Sequence, residues 1–166
     1  EEPCWPEHID ALVEVARALP FPIAPGERLN GRWEFRELFE KRACSIVQPD
    51  VSHCGGISEA RRIAAMAETY MISVACHNPQ GPVSTAASTH VGFATPNYLI
   101  QEMVRADVPW RNDIVTESIP LEAGQCDAPT KPGLGIEINE AEAAKYPWQP
   151  EGTMAYTHRD GSVADW

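Results

Sequence analysis

A polar residue stands directly after each of several short apolar runs, and this regular placement narrows the folds open to the chain. Glu1 opens the sequence in Glu1-Glu2-Pro3. Glu27 follows Pro25-Gly26, Asp50 follows Val47-Gln48-Pro49, His77 follows Val74-Ala75-Cys76, and Glu102 follows Ile100-Gln101. These residues recur about every 25 positions, with a helix-like stretch between each pair. A β/α barrel presents chemistry in this way, with functional side chains from successive strands gathered at the C-terminal rim.

The intervening segments support an α/β reading. Residues 8–19 carry Ile9, Leu12, Val13, Ala16 and Leu19 at helical spacing. Residues 21–24 read as a short buried strand. Residues 33–41 read as a helix with Phe35, Leu38 and Phe39 on one face, and residues 45–47 as the next strand. Residues 58–70 form a third helix with Ile63, Ala64 and Ala67 inward. A strand over 72–75, an Ala- and Thr-rich helix over 82–93 and a strand over 98–101 complete the alternation. Such alternation implies parallel strands joined by right-handed crossovers. A doubly wound open sheet shares the pattern, but the polar residue after every strand and the lack of a Gly-rich phosphate loop favour the barrel.

Past about Val104 the periodicity stops. Lys131-Pro132-Gly133-Leu134-Gly135 marks a turn, and a short helix is expected over 140–145. The tail, residues 146–166, holds several aromatics and is expected to be ordered by packing on something else, since disordered tails are poor in Trp and Tyr. A whole β/α barrel needs about 250 residues, whereas this chain has 166. It is therefore expected to be the C-terminal part of a longer protein. Residues 1–104 would supply the second half of a barrel, and residues 105–166 an extension completing the barrel and capping region.

Bulk properties exclude some functions. The net charge of −11 argues against nucleic acid, because phosphate binding needs clustered Lys and Arg. Cys4, Cys44, Cys54, Cys76 and Cys126 are odd in number and lack C-x-x-C spacing, so free thiols in a reducing cytosol are expected. No apolar run approaches the roughly 20 residues that span a membrane.

The rim residues suggest metal-assisted proton abstraction. Glu1 and Glu27 offer hard oxygen ligands of the kind Mg²⁺ takes. Taken alone, each reads more readily as a helix-capping acid, and Glu2 competes with Glu1 as the ligand. Asp50 and His77 follow successive strands, and a carboxylate on one imidazole nitrogen sets the tautomer and makes the other a better base. A structural histidine is the alternative. His8, His53, His90 and His158 read as structural or surface residues, with His53 the one expected to approach the site. Glu102 would stay protonated and donate to a developing enolate oxygen, or else pair with Arg28 or Arg105.

Taken together, Glu1-Glu2-Pro3, Gly26-Glu27-Arg28-Leu29, Gln48-Pro49-Asp50-Val51-Ser52-His53 with Gly55-Gly56-Ile57, His77-Asn78-Pro79 with Gly81-Pro82, and Gln101-Glu102 resemble the enolase superfamily. They are most similar to its mandelate racemase branch and the acid-sugar dehydratases within it. Pro132-Gly133-Leu134-Gly135 and the terminal run from His158 to Trp166 resemble the C-terminus of D-galactonate dehydratases. Ala144-Lys145-Tyr146-Pro147 also resembles the mannonate dehydratases, but the Gln-Pro-Asp segment favours the galactonate type. The resemblance implies that Glu1 and Glu27 bind Mg²⁺, that His77 is the base, that Asp50 raises its basicity and that Glu102 stabilises an enediolate. It implies a (β/α)-barrel of the enolase-superfamily type whose C-terminal tail packs on a capping domain, and a cytoplasmic homo-oligomer acting on a sugar acid. The family's Asp ligand on the preceding strand, its second acid/base His and its N-terminal capping domain have no counterpart here.

The expected reaction is Mg²⁺-dependent dehydration of an aldonate such as D-galactonate to a 2-keto-3-deoxy acid, a hydro-lyase step in carbohydrate acid catabolism. A racemase or epimerase of a 2-hydroxy acid would need the same enediolate but no leaving hydroxyl. From a different class, a chain complete in itself would be a non-catalytic barrel fragment, because two carboxylates hold Mg²⁺ weakly and a half barrel leaves strand edges open.

Overall fold

The computed structural model describes residues 1–105, 107–150 and 156–164. Asp165 and Trp166, which end the terminal motif, lie outside the described residues. The elements are α1 (Ile9–Ala18), α2 (Gly31–Glu40), β1 (Ile46–Val47), α3 (Ile57–Thr69), β2 (Ser73–Val74), α4 (Pro82–Phe93), α5 (Glu140–Ala143), β3 (Tyr156–Thr157) and β4 (Val163–Ala164).

Local chemistry explains the helices. At α1, His8 Nδ1 accepts the Ala11 N–H at 3.0 Å, satisfying an orphan donor of the first turn. Leu19 then turns extended ahead of Pro20, as a residue before proline must. The first turn of α2 is held from outside: Glu59 of α3 accepts the Arg32 N–H at 3.0 Å and its guanidinium at 2.7 Å. Phe35, Leu38 and Phe39 on the inner face of α2 are buried, as their spacing predicts. In α3, Ala60, Ala64 and Ala67 are fully buried together with Ile63. Pro82 opens α4, where its missing N–H costs nothing. Thr85 and Thr89 are buried in α4 because their hydroxyls bond back to Gly81 O at 3.2 Å and Thr85 O at 2.8 Å.

β1 and β2 pair in parallel, with Ile46 opposite Ser73 and Val47 opposite Val74. Two further segments extend the layer as single contacts. On one side Gln48 N–H donates to Pro25 O at 2.9 Å, and on the other Val74 bridges Tyr98 in parallel. The spatial order is therefore the segment at Pro25, then β1, β2 and the segment at Tyr98, as a β/α series requires. The two flanking segments are not the full strands expected over 21–24 and 98–101. Pro22 and Pro25 bring no N–H to a ladder, and Phe21 is 59% exposed. Leu99 and Ile100 are likewise exposed, at 55% and 66%, so no packing extends the strand beyond Tyr98.

The core lies between this layer and its helices, centred on Phe35, Phe39, Val47, Ile63, Val74 and Val91. Beyond it, the chain folds back through Arg111, whose Nη1 donates to Gln80 O at 2.8 Å. Val115 bridges Ile138, and Trp110 stacks on Tyr146 with centroids 4.4 Å apart. β3 and β4 form an antiparallel pair, and Trp148 and Val163 are each 83% exposed. No helix among the described residues is long and apolar enough to cross a membrane.

Candidate active site

The β1–β2 register places the central pair. Asp50 lies three residues beyond Val47, and His77 three beyond Val74, so two residues at equal offset from a paired position meet at the rim. His77 Nδ1 is 3.0 Å from Asp50 Oδ2. Asp50 is fully buried, and both oxygens of its carboxylate face donors. Oδ1 accepts the Ser52 N–H at 2.6 Å, and Oδ2 also faces Gln80 Nε2 at 3.4 Å. His53, as expected, approaches the site: its Nδ1 lies 3.8 Å from Asp50 Oδ2, with the ring half exposed.

The second imidazole nitrogen meets Glu27. His77 Nε2 is 3.2 Å from Glu27 Oε2, with both side chains largely but not fully buried. Asp50, His77 and Glu27 thus form one continuous chain of contacts, and the imidazole is gripped at both nitrogens. A carboxylate at Nδ1 favours a proton on that nitrogen, and the Glu27 carboxylate favours one on Nε2, so the proton on Nε2 is the one the site can exchange.

Glu1 is exposed and lies on a neighbouring segment, since Glu2 accepts the Gly26 N–H beside Glu27. Gln48 Nε2 donates to Glu1 Oε1 at 2.7 Å. Burial pushes the Glu2 carboxyl above its ordinary range, and the bond from Gly26 only partly offsets this. Glu2 therefore straps the two segments together, whereas Glu1 stays exposed. Among the described residues, no group of three or more His, Cys, Asp and Glu side chains is placed to hold a metal ion. The donors present nevertheless suit Mg²⁺ in kind. Both are carboxylates on adjacent segments, and Gln48 Oε1 is buried without a partner beside Glu1, an unmet acceptor that a cation's water shell can satisfy.

Glu102 sits on the far side of His77. Its Oε2 accepts the Asn78 N–H at 2.6 Å, and its main-chain carbonyl accepts Asn78 Nδ2 at 2.9 Å. Cys54 and Cys76 lie behind the site. Burial is the main reason their thiols rise to about 12 and about 11, and the Asp50 charge adds to both, so neither is a nucleophile.

Sequence reasoning missed Gln48, Asn78 and Gln80. Gln48 and Asn78 lie within segments already singled out and Gln80 falls between two of them, each a polar residue within three positions of a rim residue. Gln48 and Asn78 are buried, and a buried amide in a strand-end loop must find partners.

Comparison with known proteins identifies the family. Residues 1–142 match the enolase C-terminal domain-like family. The chain is 37% identical to a D-galactonate dehydratase of Variovorax paradoxus (strain S110), over all of this chain and 46% of that protein. It is also 37% identical to a D-galactonate dehydratase family member of Streptomyces bingchenggensis (strain BCW-1), over 96% of this chain and 39% of the relative. It therefore spans less than half the length of these relatives. Among solved structures, a mandelate racemase/muconate lactonizing enzyme from Sulfitobacter sp. superposes with a TM-score of 0.86 at 40% identity, covering 91% of this chain and 38% of the other. A mandelate racemase/muconate lactonizing enzyme-like protein from Rubrobacter xylanophilus DSM 9941 gives 0.83 at 41% identity, covering 89% and 38%. The offset pairing of Asp50 with His77, the flanking Glu27 and Glu102, and these matches lead to one conclusion: the chain belongs to the enolase C-terminal domain-like family, within the mandelate racemase branch of the enolase superfamily.

Proposed function

We propose that the whole protein dehydrates an aldonate, such as D-galactonate, to a 2-keto-3-deoxy acid. The observation that carries this reading is the imidazole of His77 held between Asp50 and Glu27, with Glu102 next along the rim. Relatives named D-galactonate dehydratase support the choice of substrate.

His77 Nε2 takes the C2 proton. Asp50 accepts Nδ1–H and so makes Nε2 the nitrogen that takes this proton. Electron density from the broken C2–H bond moves onto the carboxylate, giving an enediolate. Glu102, protonated in the substrate complex, donates a hydrogen bond to that developing oxyanion. The 3-hydroxyl then leaves with a proton from a second acid elsewhere in the whole protein, and the enol becomes the keto acid. Glu1 and Glu27 would hold Mg²⁺, which when bound supplies positive charge to the substrate carboxylate and acidifies the C2 proton. Residues 1–104 act as the barrel portion and residues 105–166 as the extension toward a capping domain, which would cover Trp148 and Val163. A reducing, cytoplasmic location and a homo-oligomeric assembly complete the proposal; the five cysteines are all free thiols.

Replacing His77 with Asn in the whole protein should abolish exchange of the aldonate C2 proton with D2O, followed by proton NMR. Exchange that persists would reject His77 as the base. An epimerase is the second reading, favoured by the solved neighbours that carry racemase names. A keto-acid signal supports dehydration, whereas a changed optical rotation without keto acid supports epimerisation.

A further inference from the structure

The Val74–Tyr98 bridge also sets the register of the last two segments. Asn78 and Glu102 each lie four residues beyond that bridge, so they are neighbours across the rim. Main-chain pairing stops short of them: among the described residues, the outermost bond of this ladder is Leu99 N–H to Val74 O, at 2.7 Å. Side chains bridge the gap beyond it. Cys76 N–H donates to Tyr98 Oη at 3.2 Å, and Tyr98 Oη donates to Gln101 Oε1 at 2.7 Å. Asn78 then makes two bonds to Glu102, one from its main chain and one from its amide.

The orientation of that amide is determined by its neighbours. Thr85 Oγ1 spends its proton on Gly81 O, so toward Asn78 it can only accept. Glu102 O is likewise an acceptor. Nδ2 therefore faces both, at 2.9 Å each, and Oδ1 is left buried with no partner. Flipping the amide would set an oxygen against two acceptors. A fully buried side chain with an unmet oxygen is a poor choice for packing alone. Its placement next to His77 and against Glu102 gives it another use.

We infer that Asn78 is a positioning residue that fixes the Glu102 carboxylate beside His77: its amide pins the Glu102 main chain, and its N–H pins the carboxylate. The catalytic consequence rests on the dehydratase reading; the pinning itself does not. A displacement of about 1 Å at such a group costs on the order of 10²-fold in rate.

Two measurements on the whole protein test it. The first is a double-mutant cycle with Mg²⁺ and D-galactonate, using Asn78→Ala, Glu102→Gln and both together. Asn78→Ala should lower kcat by about ten- to a hundredfold, within that positioning range, with KM changed far less. In the Glu102→Gln background it should lower kcat little further, because Asn78 acts through Glu102. Losses that multiply would overturn the inference. Should Asn78→Ala fail to fold, Thr85→Val removes the amide's second acceptor, along with the hydroxyl's bond to Gly81 O, and should show the same dependence on Glu102. The second measurement is the amide proton shift of residue 78 by NMR. A bond to a carboxylate should place it downfield, and Glu102→Ala should move it upfield. An unmoved signal would overturn the pinning. A wild-type protein that turns over no aldonate would sink the dehydratase reading, and the NMR comparison would then decide the pinning by itself.

Discussion

Asp50 shows how much one buried carboxylate can determine. Each of its oxygens faces donors: the Ser52 N–H at Oδ1, and His77 with Gln80 at Oδ2. Asp50→Asn must turn its NH2 toward one of these sides. The Ser52 main-chain N–H cannot become an acceptor, but His77 can shift its proton from Nδ1 to Nε2. The substitution should therefore yield a folded protein in which Nε2 of His77, the proposed base, already carries a proton. A fall in kcat of about 10²–10⁴-fold is expected, and near-normal turnover by Asp50→Asn would contradict the tautomer argument. A second residue-scale prediction concerns Asp107. A forked pair with Arg111, with one bond at 2.6 Å, holds its carboxyl down at about 2, below the ordinary 3.8. A depressed acid adds stability above its unfolded value and loses it as pH falls through the folded one. The gap in denaturation midpoint between wild type and Asp107→Asn should thus be widest above about pH 4 and close toward pH 2. A gap that stays constant across that window would show that the pair does not contribute to folding.

At the scale of elements, the turn before Glu27 links the core to the site. Gly26 has φ +123°, a conformation costly for any L side chain. A Cβ there would also lie 3.0 Å from both Phe35 and Val47, two buried side chains of α2 and β1. Gly26→Ala should therefore destabilise by about 1–3 kcal/mol or more, combining backbone strain with overpacking. Chemical denaturation measures this, and an unchanged midpoint would show that the turn relaxes freely. The helices themselves were legible from sequence because each rests on local signals: the Phe35–Leu38–Phe39 spacing, Pro82 at the start of α4, and Pro20 after α1. The flanking strands were less legible. Apolar character at 21–24 and 98–101 identifies segments that run beside β1 and β2, but ladder length depends on the donors and packing partners supplied by neighbours.

At the scale of the whole molecule, burial sorts the five thiols. Cys44, Cys54 and Cys76 are buried, and desolvation pushes Cys44 to about 12, as it does Cys54. Cys4 and Cys126 are partly exposed. Alkylation under native conditions, read by mass spectrometry, should modify Cys4 and Cys126 first, with the other three reacting only after unfolding. Early labelling of Cys76 would mean that the rim opens under native conditions and exposes the space behind His77.

The sequence by itself determined the helix positions, the alternation that makes the segments parallel, and the five residues that stand at the rim. These follow from periodicity, capping and turn chemistry, all local in the chain. Only the tertiary structure decided what each rim residue touches: His77 between Asp50 and Glu27, Glu1 against Gln48, and Glu102 held by Asn78. Those pairings depend on strand register and on which buried polar atoms are left to be satisfied. Both are properties of segments more than 20 residues apart in sequence, as the separations of 27 for His77 with Asp50 and 24 for Asn78 with Glu102 show.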